Sequence, residues 1–347
     1  MNKKKISAQS AAKKSPTKTA LKVAKKATPK TPKKSTVTPK LPVTNKLPSD
    51  SKPDLIDDKV GREKMMESLS QILGEMDFKS DAELNAYLDS QFKEGVFPDS
   101  LDIDPLDEAQ SLIYEAWDTE GPERIKLAER ALELSENCAD AYLILAKEGS
   151  HRSEKKTLEY FEKAVDAGKR AVGSAMFKDA KGAFWGVMET RPFMRAKFEL
   201  AKYLVELDQV EKAIQHFQEM LVLNPNDNQG VRYILLALLM EENKDQDAKK
   251  LLDQFHDDES TSFLYTRALI LYRKEGKSKA AHKSIVLAFR ENSYVVPYLR
   301  GKLKLPTTSP DFISPGGKEE AQEYAIDFIS TWRSTEGALE WISVLGS

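Results

Sequence analysis

The chain has 347 residues, of which 40% are hydrophobic, and its formal net charge is −2. This composition allows a sizeable core, but the longest apolar stretch is far shorter than the roughly 20 residues of a membrane-spanning helix. The single cysteine, Cys138, excludes an internal disulfide framework. The start of the chain lacks the apolar core of a secretory signal and the arginines of a mitochondrial presequence. We therefore expect a soluble, cytoplasmic protein with no membrane contact.

Charge is divided unevenly along the chain. Residues 1–52 hold fifteen lysines, no arginine and one acidic residue, which gives +14. The later residues hold 38 basic and 54 acidic side chains, which gives −16. Residues 1–53 are also rich in proline and poor in large apolar side chains, so nothing offsets the entropy lost on ordering them. We predict that they form a disordered basic tail.

The lysines of this tail can neutralise phosphates by releasing counterions, with steep salt dependence and little sequence preference. The candidate residues are three lysine pairs, Lys13 with Lys14, Lys25 with Lys26, and Lys33 with Lys34. Two interpretations remain open: weak nucleic-acid contact through residues 1–53, or a solubilising tail that folds back on the acidic body. A salt-titrated gel shift with and without the tail distinguishes them.

Helical spacing of apolar residues begins after the tail. The pattern predicts an N-terminal helical pair over residues 57–95 and a loop before residue 107. Residues 107–292 are predicted to form paired helices joined by short turns, with an irregular insertion at residues 174–192. Residues 293–347 are predicted to form a Pro/Gly/Ser loop and capping helices, because the end of a helical array exposes apolar surface that must be covered.

Small residues recur at a fixed separation inside the paired region. Three times, an alanine or leucine lies twelve residues before an alanine, and the starts are 35 and 32 residues apart: Ala201 with Ala213, Leu236 with Ala248, and Ala268 with Ala280. A period of about 34 residues is typical of stacked helix–turn–helix repeats. Small residues at these places let two antiparallel helices approach closely. The alternative is a helical bundle in which the alanines fall by chance.

One segment carries a more specific repeat pattern. With Met194 as the first position, the small residues at positions 8 and 20 are Ala201 and Ala213. The aromatic residue at position 24 is Phe217, and the proline at position 32 is Pro225. The chain therefore resembles the tetratricopeptide repeat (TPR) family. The resemblance implies an all-α, right-handed superhelical array of four to five antiparallel helix pairs. It also assigns Ala280 and Leu287 to the core of the last pair.

In TPR proteins the first helix of each pair lines a concave groove, so the resemblance implies a peptide-binding surface. The fifth position is aromatic in four repeats, which hold Tyr142, Phe198, Tyr233 and Tyr265. Other groove positions hold Arg195, Lys202 and Tyr272. Aromatic rings give contact area at low entropic cost, and arginine can bind a carboxylate in a two-point fork. We predict a protein or peptide partner; the alternative is that these rings pack between adjacent repeats.

The insertion has an unusual composition. It contains GAFWG at residues 182–186 and ETRP at residues 189–192, and NPNDNQG follows at residues 224–230. These segments resemble a largely uncharacterised group of bacterial repeat proteins that is loosely related to the suppression-of-tumorigenicity-7 family. The resemblance covers roughly residues 57–345 and implies no known chemistry.

The candidate residues of this special loop are Phe184, Trp185 and Arg191. The two aromatic rings could form a contact surface. The alternative is a packing role, in which they fill a gap beside the long helix predicted at residues 153–172. Thr190 is predicted to cap the helix that follows.

Signatures of catalysis and cofactor binding are missing from the sequence. It has no HExxH or Cys/His metal spacing, no phosphate-binding GxxxxGK[ST] loop and no GxSxG nucleophile turn. The four histidines fall on different predicted elements, and we expect His216 to lie at the surface. We therefore predict no enzyme activity, no metal and no cofactor, and favour a non-enzymatic scaffold for protein–protein interaction.

Overall fold

The computed structural model describes Glu83 and residues 104–149, 153–306, 310 and 312–345. The predicted basic tail, with its lysine pairs, and nearly all of the predicted N-terminal helical pair lie outside the described residues. Every regular element within those residues is helical, and none of them forms a strand. The all-α, TPR-like fold class predicted from the sequence is confirmed.

The first ten α-helices of the described residues form five consecutive pairs: α1 (Pro105–Trp117) with α2 (Pro122–Leu134), α3 (Ala139–Glu148) with α4 (Glu154–Asp179), α5 (Arg191–Glu206) with α6 (Val210–Leu223), α7 (Val231–Glu241) with α8 (Asp245–Gln254), and α9 (Thr261–Glu275) with α10 (Lys279–Glu291). Each of α2, α4, α6 and α8 also contacts the first helix of the next pair, so the pairs stack in chain order. The remaining helices are α11 (Val295–Leu299), α12 (Lys318–Ser334) and α13 (Ala338–Trp341).

The turns inside three of the pairs use a left-handed backbone. Asp208, Asn243 and Gly276 have φ angles of 61°, 56° and 61° and lie between α5 and α6, α7 and α8, and α9 and α10. Short polar side chains tolerate this region better than most, and glycine adopts it without steric cost. These residues end the first helix and allow the chain to reverse within three residues.

Helix α4 changes direction at Gly173, whose φ of 66° and ψ of 163° are not helical. Earlier in the same helix, Gly168 lies directly against α5. A Cβ atom on Gly168 would lie 2.8 Å from the Cα atom of Phe193. Gly168 therefore permits the close approach of α4 and α5, which the twelve-residue spacing did not indicate.

The repeat register is correct in two of the three small-residue pairs, whose members are all fully buried: Ala201, Ala213, Leu236 and Ala248. In the last pair the prediction is wrong by one residue. Ala280 is exposed, and the neighbouring Ala281 is buried in its place. Leu287, which the register also assigned to the core, is 48% exposed.

The end of α9 explains this shift. Ala268 lies eight residues before Gly276, whereas Ala201 and Leu236 lie seven residues before Asp208 and Asn243, the positive-φ residues of their own turns. In all three pairs the buried alanine of the second helix follows the positive-φ residue by five residues, and in the last pair the backbone N–H of this alanine, Ala281, donates a hydrogen bond to the Ser278 hydroxyl at 3.1 Å. The additional residue therefore lies between Ala268 and Gly276, and it moves the buried side of α10 by one position along the sequence.

Helix α12 is the main element after the five pairs. It contacts α7 and α9 as well as the adjacent α11. Its side chains Tyr324, Phe328 and Trp332 are buried in the same core that runs from α3 to the end of the described chain. The first helices of the last two pairs are therefore covered by a later part of the chain.

Candidate functional site

Three of the four aromatic residues at the predicted groove position are half-buried: Tyr142 on α3, Phe198 on α5 and Tyr233 on α7. Each ring lies near one other ring. Centroid distances are 6.4 Å from Tyr142 to Tyr160, 6.1 Å from Phe198 to Phe217 and 5.8 Å from Tyr233 to Phe263. Offset and edge contacts of this kind fix the rings in place. Each side chain is held by the fold and still leaves part of its surface exposed.

The two candidates on α9 are placed differently. Tyr265 is fully buried, with its ring centroid 5.4 Å from that of Tyr324 on α12. Tyr272 stacks on Trp341 at 4.5 Å, and its hydroxyl donates a hydrogen bond to the carbonyl oxygen of Glu336 at 3.1 Å. The C-terminal helices thus bury Tyr265, whereas the half-buried Tyr272 has one ring face covered by Trp341 of α13.

Arg195 is engaged by a buried carboxylate. Its Nε donates a hydrogen bond to Oδ1 of Asp140 on α3 at 3.0 Å, and its Nη2 forms an ion pair with Oδ2 of the same residue. Gln110 of α1 also donates to Asp140, which is 1% exposed. The Arg195 guanidinium lies 5.1 Å from the ring centroid of Trp117. The two-point fork expected to bind a partner's carboxylate is used inside the chain.

This polar cluster joins the first helices of three pairs, α1, α3 and α5. Sequence reasoning missed Asp140 and Gln110, although an acidic residue in the first turn of an apolar helix was visible. A buried carboxylate needs a cation and further donors to offset its lost hydration. The cluster therefore links three successive helix pairs and helps to fix their spacing.

Lys202 is the exposed cation of the predicted groove. Its Nζ lies 5.5 Å from the ring centroid of Phe198, a cation–π arrangement. Glu199 joins it to α3, because its carboxylate lies 3.8 Å from Nζ of Lys202 and 3.0 Å from Nζ of Lys147. The structure thus brings together aromatic and charged groups on the contacting helices α3 and α5. We call the residues Tyr142, Phe198, Lys202 and Tyr233 the aromatic face.

Tyr233 belongs to a second polar cluster. Its hydroxyl donates a hydrogen bond to Oδ2 of Asp258 at 3.0 Å, and Arg232 binds the same oxygen through Nε at 2.7 Å. Burial opposes ionisation of Asp258, but hydrogen bonds from Ser260 and Arg232 bring the pKa of this carboxyl below its ordinary value. The cluster borders a shallow, open pocket of about 400 Å³. It fixes the position of the Tyr233 side chain on α7.

The special loop is tied to the core by one side chain. Phe184 is fully buried, with its ring centroid 5.2 Å from Phe177 and 6.2 Å from Phe193. The Thr190 hydroxyl donates to the carbonyl oxygens of Phe184 and of Val187. The prediction that Thr190 caps α5 is wrong, because its side chain makes no capping bond and holds the loop instead.

The other two loop candidates lie nearer the surface. Trp185 is partly buried, and its carbonyl oxygen accepts a hydrogen bond from Nε of Arg191 at 3.0 Å. The Arg191 guanidinium lies 5.5 Å from the Trp185 ring centroid. At the start of the loop, the backbone N–H of Gly182 donates to the carbonyl oxygen of Leu223 at 3.0 Å, which joins the loop to the end of α6.

A family model described as ST7 protein matches residues 88–346. The chain belongs to the ST7 family. The match covers all five helix pairs and the C-terminal helices, and it leaves out the basic tail.

Relatives agree with the ST7 assignment. The chain is 27% identical over 273 residues to a chicken protein named suppressor of tumorigenicity 7 protein-like, covering 69% of this chain and 47% of that protein. It is 28% identical over 267 residues to a Drosophila melanogaster ST7 homologue, covering 68% and 48%. The ST7-family chain thus spans about half the length of the curated relatives it matches.

A solved structure is also similar to this ST7-family chain. It is YrrB, described as a TPR protein with an unusual peptide-binding site. The similarity covers 54% of this chain and 84% of YrrB, with 19% sequence identity and a TM-score of 0.36.

The described part of the ST7-family chain holds no helix with the length and apolar character needed to cross a bilayer. Within the same residues, no three or more His, Cys, Asp or Glu side chains are grouped so that they could hold a metal ion.

A buried cation lies between α5 and α6 of this ST7-family chain. Lys197 is 3% exposed, and its Nζ lies 3.0 Å from Nδ1 of His216 and 2.5 Å from Oε2 of Glu219. Burial lowers the pKa of Lys197, although Glu219 opposes the change. Burial and the Lys197 charge also lower the pKa of His216. His216 is half-buried, so the expectation that it lies at the surface is wrong.

This arrangement predicts a loss of stability on acidification. Since the pKa of His216 is lowered in the folded chain, the unfolded chain binds a proton that the folded chain does not as the pH falls through about 6.5. We expect His216→Gln to lose less free energy of unfolding than the parent between about pH 7.5 and about pH 5.5. Urea denaturation at both pH values measures this difference. His282→Gln, at an exposed position, is the control, and equal losses in parent and His216→Gln would contradict the prediction.

Proposed function

We propose that this ST7-family chain is a non-enzymatic scaffold that binds a peptide segment of a partner protein through the aromatic face. A TPR-like helical fold suggests a protein-interaction scaffold, and we assign the binding of the peptide to the aromatic face. The observation that carries it is the pairing of the half-exposed Phe198 with the exposed Lys202 on α5, which contacts α3, the helix that carries the half-exposed Tyr142. Partly exposed rings held in place by their neighbours give contact area without a large entropic penalty on binding.

The charges around the face indicate what the partner carries. Arg195 is bound to the buried Asp140, so we do not assign it to the partner. Lys147 and Lys202 share the carboxylate of Glu199, which leaves an excess of positive charge beside the rings. A segment with an apolar residue beside an acidic one would complement this arrangement.

The test uses residues that can change without unfolding the chain. We expect the double variant Tyr142→Ala with Lys202→Glu to bind the partner at least about tenfold more weakly, because it removes one anchor ring and reverses one charge. The partner is first recovered by affinity purification with the full chain, and its purified segment is then titrated against parent and variants. Arg195→Glu is unsuitable, because it would place a second carboxylate beside Asp140 and report on folding.

Lys126→Glu is the matched charge control, since Lys126 is exposed on α2, the second helix of the first pair. Its affinity should equal that of the parent. Equal affinity of the double variant and the parent, with both folded by circular dichroism, would refute the role of the aromatic face.

The basic tail supports a second and separate proposal. Its fifteen lysines would contact nucleic acid through phosphates, with affinity that falls steeply as salt rises. The tail lies outside the family match, so membership of the ST7 family does not bear on this contact. Loss of a gel shift on deletion of residues 1–53 supports it, and an unchanged shift refutes it.

A further inference from the structure

The outward side of α10 combines positive charge with exposed aliphatic surface. Lys279, Lys283 and Arg290 lie on α10, and Lys277 lies in the turn before it. Together with Val286 and Leu287 they line a shallow, open depression of about 610 Å³. We call these six residues the α10 surface. Leu287 is 48% exposed, because the buried side of α10 is formed by Ala281, Ile285 and Ala288.

The four cations of the α10 surface form no ion pair within the described part of the chain, although the chain beyond the tail has sixteen more acidic than basic side chains. The acidic residue just before the surface, Glu275, is bound to Lys274 at 3.2 Å and accepts a hydrogen bond from Ser278. Within the described residues, no carboxylate therefore lies at ion-pairing distance from these four cations.

The placement of these cations also runs against helix stability. Lys279 and Lys283 are four residues apart on one helix face and repel each other. Lys279 lies in the first turn, where the helix dipole favours acidic side chains. The other second helices, α2, α4, α6 and α8, each have an acidic residue in the first turn, and α10 has none. Charged residues that destabilise a helix without a compensating contact inside the chain indicate that the surface binds a partner.

We propose that the α10 surface binds an acidic segment of a partner protein, with an aliphatic side chain of that segment seated on Val286 and Leu287. Charge complementarity selects the acidic segment. The aliphatic floor distinguishes this partner from nucleic acid, because phosphates gain nothing from an aliphatic contact and the surface has no aromatic ring for base stacking. Because Leu287 lines a depression and does not project with other large apolar side chains, the surface is unsuited to insertion into a membrane.

This surface lies on a second helix, whereas the aromatic face lies on first helices. The two proposals therefore use different residues, and either one can fail without the other.

The experiment measures binding of two fluorescent synthetic peptides to the full chain by anisotropy. One peptide alternates glutamate with leucine, and the other carries serine in place of each leucine. We expect the leucine peptide to bind at least about fivefold more tightly at about 0.15 M salt, and Leu287→Ser to remove this difference. We expect Lys279→Glu with Lys283→Glu to weaken the leucine peptide by at least about tenfold.

Lys249→Glu with Lys250→Glu is the matched control, since both lysines are exposed on α8 and make only surface ion pairs. It should bind the peptides like the parent. The basic tail contributes equally to every variant, so only differences between variants are interpreted. Lys279→Glu adds an acidic residue to the first turn of α10 and should not weaken folding there.

Three outcomes would overturn the proposal. They are equal binding of both peptides by the parent, equal binding by the parent and the Lys279→Glu, Lys283→Glu variant, and binding of phosphatidylserine vesicles without binding of either peptide. The last outcome would assign the surface to an anionic membrane.

Discussion

Replacing Trp332 with alanine is expected to lower the free energy of unfolding by about 3–5 kcal/mol. Trp332 is fully buried in α12, and its Nε1 donates a hydrogen bond to the Tyr324 hydroxyl at 2.7 Å. The substitution would remove a large side chain from the core and leave a buried hydroxyl without its donor, and both effects destabilise. Urea denaturation of the full chain, followed by circular dichroism, measures the change.

Phe312→Ala is the control, because Phe312 is 74% exposed and should change the free energy by less than about 0.5 kcal/mol. The result decides whether α12 covers α9 permanently or whether α9 can contribute to a binding surface. A large loss for Trp332→Ala means that α12 is part of the core and that Tyr265 is permanently covered. A loss below about 1 kcal/mol would mean that α12 is weakly attached, and the aromatic face would then extend to α9.

The helix pairs could be predicted from the sequence because their determinants are local. Small residues such as Ala201 and Ala213 lie where two consecutive helices cross, so one short segment carries the whole signal. The error in the last pair has an equally local origin. One additional residue between Ala268 and Gly276 moves the buried alanine from position 280 to position 281, and a fixed twelve-residue spacing cannot register such a change.

The cover over the predicted groove could not be predicted in the same way. Tyr265 and Tyr324 are far apart in the sequence, and α12 has an ordinary amphipathic pattern that does not specify which helices it contacts. The repeat register treats every first helix alike, so it assigned Tyr265 the same environment as Phe198. The difference between the two is set by tertiary contacts that only the three-dimensional structure shows.

The ion pair between Arg195 and Asp140 could not be predicted from the sequence for a related reason. Periodicity identifies faces of a helix, but it does not show whether a charged side chain on that face meets a partner from another repeat. Asp140 lies on α3, 55 residues before Arg195. An acidic residue at the start of an apolar helix, such as Asp140, indicates such a pair, because a buried carboxylate needs a cation. The same pattern can identify arginines that form ion pairs inside a protein.

Replacing Phe184 with alanine tests what the special loop does. We expect a loss of about 3–5 kcal/mol, because the ring is fully buried against Phe177 and Phe193 and its removal would leave a cavity. Trp185→Ala should cost only about 1 kcal/mol, since its ring is partly exposed and its main link to Arg191 uses the backbone carbonyl. Thermal and urea unfolding of both variants supply the comparison.

The two substitutions separate the interpretations of the loop. If it only fills the gap beside the bent α4, Phe184→Ala destabilises the chain and Trp185→Ala leaves partner affinity unchanged. If the loop is a contact surface, Trp185→Ala weakens partner binding while stability stays close to that of the parent. The loop is anchored at Gly182 to the end of α6 and at Thr190 to the start of α5. Because both ends of the loop are held by hydrogen bonds within the chain, we expect the first result, in which Phe184 packs between α4 and α5 and stabilises the two helix pairs that these helices belong to.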